Sequence, residues 1–396
     1  MVRAAHMDHS RRGASTAVGV IDRALSKRSA AEPSIRTLRT LALSGLGSMY
    51  DRGAGRFVFR VRRADHRLVC EGLSARYTAI SAIGLAHEDS IIVRDILGGD
   101  SLAAVVRRLI ADTDTLTNLG DLALTAWAGR LVDCDTSQVW KRIASRQPEA
   151  AAHPTVEAAW VLSACVADAR SAPAGLGERM AERLVSAFSA DAGLFPHELG
   201  AKGTLRAHVS CFADFVYPTM ALAQFGSAAS HRESIVCATR AAETMSFLQG
   251  AHGQWWWHFD YRTGRVVEPY PVYAVHQDAM APMAFLAVAD AIGRDYDVAI
   301  NRGLGWLWKS PELKGRSLID EKAGLIWRKV ARREPAKLSR GVQAVVSRLS
   351  ADMRAPGLDQ LFPPTAIDYE DRPYHLGWIL YAWPKTRASQ WDGPAS

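Results

Sequence analysis

The chain has 396 residues, of which 48% are hydrophobic and 22% charged, and its formal net charge is +7. This balance excludes a wholly disordered polypeptide and supplies enough apolar material for one large core or two modest ones. The basic residues are spread along the sequence, richest before Arg60 and between Trp327 and Arg348, which reads as solvated helix faces and argues against a nucleic-acid surface.

Residues 1–33 are rich in Ala, Ser and Arg without a sustained period, so a loose N-terminal arm is expected. The charged start, Met1 to Arg12, is not followed by an apolar segment of the kind a secretory signal needs. No stretch approaches the roughly 18 apolar residues of a membrane span. Cys70, Cys134, Cys165, Cys211 and Cys237 are odd in number and widely spaced, which reads as buried free thiols of a cytoplasmic protein. No CxxC or Cys/His spacing suggests zinc, and neither a metal nor a cofactor is expected.

Pro33 precedes Ser34, a suitable N-cap for a helix through Tyr50. Arg56-Phe-Val-Phe-Arg-Val-Arg62 then alternates with period two and predicts a strand. From there, predicted helices come in two kinds. Residues 102–110, 137–145, 177–188, 233–248 and 296–308 carry charges at helical spacing. Residues 78–86, 122–131, 156–167, 215–225, 280–291 and 375–383 are apolar nearly all round. A helix apolar on every face must be surrounded by protein, whereas one with a charged stripe can face water. The alternation therefore predicts an inner and an outer ring, an all-α (α/α)6 toroid of about twelve helices over residues 34–390, with short hairpins on one face. Two separate bundles are the competing arrangement, disfavoured because no Pro/Gly/Ser-rich linker interrupts the stretch.

Four units follow outer helices and precede inner ones: Gly55-Arg-Phe-Val-Phe59, Gly193-Leu-Phe-Pro196, Gly253-Gln-Trp-Trp-Trp257 and Gly324-Leu-Ile-Trp327. Such recurrence marks stacked helical hairpins. On this alternation and these units the chain resembles the (α/α)6-barrel superfamily of six-hairpin glycosidases, uronic-acid-processing enzymes and sugar epimerases, and more distantly the terpenoid-cyclase toroids. The likeness is one of architecture, without a specific family motif. It implies an active site in a central funnel at the N-terminal ends of the inner helices.

Polar residues gather at those predicted ends. His276, Gln277 and Asp278 open one inner helix, and Glu370, Asp371, Arg372, Tyr374 and His375 open the last, where Pro373 suits the first turn. Glu71, Arg76 and Tyr77 precede another, and His153, Glu157, His208 and Asp214 stand at further starts. A carboxylate pair can work as general acid and base, one protonated by burial and one ionised beside a cation. The expected acid/base residues are Asp278 with Asp371 or Glu71, assisted by His276 and His375. Trp256, Trp257, His258, Tyr270, Tyr77 and Tyr374 are candidates for contact with a sugar, and Arg76 and Arg372 for binding hydroxyls or a carboxylate. The resemblance then implies a carbohydrate-active enzyme, a hydrolase, lyase or epimerase acting on a small-molecule or oligosaccharide substrate. Two alternatives stand beside it. One is a non-catalytic binding toroid. The other is a terpenoid or prenyl-diphosphate enzyme, which Asp112-Thr-Asp114-Thr115 suggests and which requires Asp114 at the roof of an apolar cavity.

Overall fold

The computed structural model describes residues 34–200, 207–332 and 358–393, so the predicted arm and most of the basic stretch up to Arg348 lie outside the described residues. Twelve helices alternate outward and inward along the chain. The outer ones are α1 (Ile35–Met49), α3 (Leu102–Ala111), α5 (Ser137–Ala144), α7 (Leu176–Ala187), α9 (Arg232–Phe247) and α11 (Asp297–Trp308). The inner ones are α2 (Ala75–Leu85), α4 (Leu119–Leu131), α6 (Thr155–Ala167), α8 (Phe212–Ala229), α10 (Ala281–Ile292) and α12 (Pro373–Ala382). Each inner helix packs on the next, and α12 packs back on α2, closing the ring.

Composition explains which helices go inside. In α4, ten of the eleven residues from Leu119 to Gly129 are buried, all but Asp121, and in α6 the run Ala158–Cys165 is wholly buried. Outer helices bury one stripe only, Val139, Trp140 and Ile143 in α5 and Met180, Ala181 and Leu184 in α7. At the seam between α2 and α12 the backbones touch. A Cβ on Gly84 would lie 2.2 Å from the Gly377 carbonyl oxygen, so only glycine permits that approach.

The ring is plugged along its axis. Trp127 of α4, Trp160 of α6, Tyr217 of α8 and Trp378 of α12 contact one another, with ring centroids 5.0 to 5.9 Å apart. The toroid therefore has two separate ends. A terminal helix, α13 (Lys385–Asp392), returns to the start of the ring. The Asp392 carboxylate accepts the Ile35 and Arg36 amides at 3.0 and 2.8 Å, satisfying free N–H groups of α1.

Short strands occupy the outer-to-inner connections, where the Gly-aromatic units fall. Gly55, Gly193, Gly253 and Gly324 all have positive φ, between 62 and 95°. The repeated glycine is thus a left-handed turn that reverses the chain into the following strand or loop. The strand Arg56–Ala64 pairs with Arg67–Leu73 and also with Glu370–Asp371, tying the last connection to the first.

Candidate active site

The N-terminal ends of the inner helices converge on one side of the ring, and a continuous chain of contacts runs between them. Arg76, at the start of α2, reaches across two neighbours. Its Nε donates to Asp121 at 2.5 Å and its Nη2 to Asn118 at 2.8 Å, both at the start of α4, and Nη2 lies 3.3 Å from Glu157 of α6. Burial opposes the charge of Arg76, but Asp121 and Glu157 outweigh it and raise its pKa. Both acids remain partly exposed, at 16% and 12% of their side chains. Asn118 caps α4 through the Asp121 amide, which fixes the Asp121 backbone.

Beside Arg76, Tyr77 and Tyr374 place their rings 4.8 Å apart, both half-buried. The Tyr77 hydroxyl accepts a hydrogen bond from Arg372 at 2.7 Å, and Phe59 stacks on the Tyr77 ring with centroids 5.5 Å apart. A basic wall continues from there. Arg60 bonds Glu71 and Glu370, Arg62 bonds Glu71, Arg328 and Arg372 meet Glu370, and Lys329 meets Asp368 at 2.9 Å. Five cations thus face three carboxylates. Arg328 also keeps a buried Nε without a hydrogen-bond partner. Burial opposes the charge of Glu370, but Arg328 and Arg372 outweigh it and lower its pKa. Glu71, one of the expected acid/base residues, is accordingly an ion-paired group of the strand Arg67–Leu73 at the edge of this wall.

The other expected acid/base residues lie beneath the bowl. A π-helical turn, His276–Met280, precedes α10 and turns His276, Gln277 and Asp278 inward together. Both Asp278 carboxylate oxygens stand 2.9 Å from His375 Nε2, and His375 Nδ1 lies 3.6 Å from Asp371. Asp371 also accepts the Ile326 and Arg372 amides at 3.2 and 2.7 Å. Neither carboxylate side chain has any exposed surface. Burial works against a charge on His375, yet the two acids prevail and lift its pKa to about 10. Burial raises the pKa of Asp278 against the pull of His375. Burial drives His276 down to about 3, so its ring is neutral. All four expected residues, Asp278, Asp371, His375 and His276, are buried. The Asp–His–Asp set joins the π-helical turn before α10, α12 and the strand that precedes α12, across the boundary between α10 and α12.

The three consecutive tryptophans diverge, as period alone requires. Trp255 is fully buried against Phe212 and Phe285. Trp257 faces Tyr273 at 5.3 Å and stacks on His258, on the same side as the basic wall, since Tyr273 packs under Arg328 and Lys329. Trp256 instead contacts Tyr270, whose hydroxyl donates to Glu312 at 2.9 Å near the end of α11. Trp256 and Tyr270 therefore pack beside the segment that follows α11, with Arg332 over the Tyr270 ring. His153 is held structurally, with Nε2 2.9 Å from the Arg146 carbonyl. Asp114 is exposed on the turn between α3 and α4, so the terpenoid-cyclase alternative gains no support.

Among the cysteines, only Cys165 and Cys237 are buried in helices. Cys70 is exposed and Cys134 and Cys211 are intermediate, so burial is not general; all five are free thiols. At the opposite end of the ring lies a cleft of about 470 Å³ lined by Trp127, Ser163, Gln224, Asp290 and Tyr381. It gathers the C-terminal ends of inner helices, whose dipoles disfavour anions, and its Asp290 is paired with Arg387 at 2.7 Å. The N-terminal bowl has the opposite polarity. No helix among the described residues is long and apolar enough to cross a membrane.

This architecture of inner and outer helices is an (α/α)6 toroid. Solved structures agree on the fold. An unsaturated glucuronyl hydrolase from Bacillus sp. GL1 superposes with a TM-score of 0.57 at 13% identity, covering 88% of this chain and 95% of its own. A possible member of the GH105 family from Klebsiella pneumoniae gives a TM-score of 0.53 at 10% identity, covering 90% and 93%. A glycosidase solved with glucose gives a TM-score of 0.51 at 14% identity, covering 88% and 96%. No protein-family model matches the chain, and no curated protein matches it in sequence.

Proposed function

We propose that the bowl at the N-terminal ends of the inner helices is the active site of a glycoside hydrolase whose substrate carries a carboxylate, a uronide. The observation that carries this reading is the pairing, within one bowl, of two partly exposed acids on Arg76 with a wall of excess positive charge. A uronate carboxylate would find Arg372, Arg328 and Lys329 beside the Tyr77 and Tyr374 rings, on which the sugar face would rest. Asp121 and Glu157 would supply acid and base, one giving a proton to the leaving oxygen or the ring, the other activating water. Sequence reasoning noted Glu157 and missed Asp121, whose role emerges only because Arg76 joins helices far apart in the chain. The neighbours are consistent with this class, two being described as glucuronyl hydrolase or glycosidase and one as a possible GH105 member. Action in the cytoplasm belongs to the same reading, supported by the free thiols.

The test is turnover on saturated and unsaturated uronide disaccharides against their neutral counterparts, with products resolved by chromatography. Release of free sugar from uronides only, lost in Asp121→Asn and Glu157→Gln, is the expected result. Binding without product would leave a recognition module, and preference for neutral sugars would remove the role given to the basic wall.

A further inference from the structure

On the same face of the ring, but outside the acid pair and basic wall, three side chains of different chemistry meet at the start of α8. His197 lies in the connection after α7, where its carbonyl accepts the Thr155 amide at 3.0 Å and the next two residues pair with His153–Pro154. Cys211 ends the strand Val209–Cys211, held in register against His258, and is the N-cap of α8. Asp214 lies in the first turn of α8 and is completely buried. One donor atom from each of these three residues lies within 4.8 Å of those from the other two.

Capping explains part of this arrangement. Asp214 Oδ2 accepts the Cys211 amide at 2.8 Å and stands 2.8 Å from His197 Nδ1. The Cys211 side chain completes the capping box by accepting the Asp214 amide, but capping requires no imidazole, and the second oxygen, Asp214 Oδ1, is buried with no hydrogen-bond partner. A buried carboxylate oxygen is costly to leave without a donor or a cation to meet it.

We propose that His197, Cys211 and Asp214 form a zinc site. An imidazole nitrogen, a thiolate and a carboxylate are the donor types zinc takes, at about 2.0–2.3 Å, and a tetrahedral ion sets its ligand atoms roughly 3.3–3.8 Å apart. Closing the present spacing to that geometry takes movements of about 1 Å or less, within the reach of side-chain rotation alone. Binding displaces the Cys211 thiol proton to solvent, giving the metal one thiolate and one carboxylate to balance its two charges. Three protein ligands leave a fourth position, and the His197 side chain, 59% exposed, opens the site to water. The site is a property of this chain whether or not the uronide reading holds.

Cobalt titration of chelator-treated full-length protein tests it. One equivalent of cobalt should produce the visible bands of a tetrahedral ion and a near-ultraviolet thiolate-to-metal band, displaced by zinc, and zinc should be found at one per chain after growth with the metal. Cys211→Ser should abolish the thiolate band. His197→Ala, at an exposed ring, should leave the circular dichroism spectrum unchanged and weaken cobalt affinity by about tenfold or more. No thiolate band at stoichiometric cobalt, or a band that persists in Cys211→Ser, overturns the site. So does unchanged affinity in folded His197→Ala.

Discussion

Two clusters in this protein share one design, a cation between two carboxylates, and differ in burial. Arg76 between Asp121 and Glu157 is partly open to the bowl, whereas His375 between Asp278 and Asp371 has no exposed carboxylate surface. The open set keeps groups a substrate can reach. The closed set spends its charges on each other, and removing one member strands another in a medium that cannot solvate it. The open set is the one proposed for chemistry, the closed set ties α12 to the turn before α10, and solvent access separates them.

The sharpest way to break this comparison is to neutralise one acid in each cluster. Glu157→Gln should lower turnover on uronides by about 10²–10⁴-fold, the usual contribution of a positioned acid or base, with a melting temperature close to that of the parent. Equal loss of activity and stability would make Glu157 a structural partner of Arg76 only.

Asp278→Asn should do the reverse. It leaves His375 with half of its counter-charge in the core, and breaking such a buried pair costs about 3–5 kcal/mol. Urea unfolding followed by fluorescence should show that loss as a lower midpoint. A variant as stable as the parent but inactive would return Asp278 to the chemistry.

The closed set also predicts a pH signature. The folded pKa of His375, about 10, lies above the ordinary value of 6.5. The stabilisation from its charge is therefore complete below about pH 6.5 and is lost as pH rises toward 10. Other groups titrate in that range, so the informative quantity is the difference between the parent and His375→Gln. That difference should shrink steadily from neutral to alkaline pH, and a constant difference would mean the ring is not charged in the folded state.

Much of the architecture was legible in the sequence because burial writes itself into composition. The inner helices are recognisable from runs such as Trp160–Cys165, and Gly55, Gly193, Gly253 and Gly324 marked the connections correctly. Helix ends were less exact. The predicted start at residue 280 missed the π-helical turn at His276–Met280, which has no periodic signature. The site was harder to read, since polarity at a helix start does not say whether a side chain points up into a bowl or down into a seam. Asp278 and Asp371 looked like an accessible pair and are buried, and Asp121 was not singled out because its link to Arg76 appears only once α2 and α4 are neighbours. His197, Cys211 and Asp214 fit no metal-binding spacing because a loop, a strand end and a helix turn supply them separately.

The smallest expected effect tests whether closure extends past the core to the chain's last helix. Asp392 caps α1 through two amides and the Ser34 hydroxyl, in a partly exposed setting. Asp392→Ala should cost about 1 kcal/mol, the usual worth of a helix cap, and Asp392→Asn should retain only part of it, since its one carbonyl oxygen can replace one of the two carboxylate oxygens that accept the Ile35 and Arg36 amides. Because the cap joins first and last helices, hydrogen exchange in the alanine variant should quicken at both α1 and α13, while amides along α4 and α6 stay as protected as before. Faster exchange confined to α13 would show that α1 is held by its other packing, chiefly on α12, without the cap, and that the ring is closed at the glycine seam between α2 and α12.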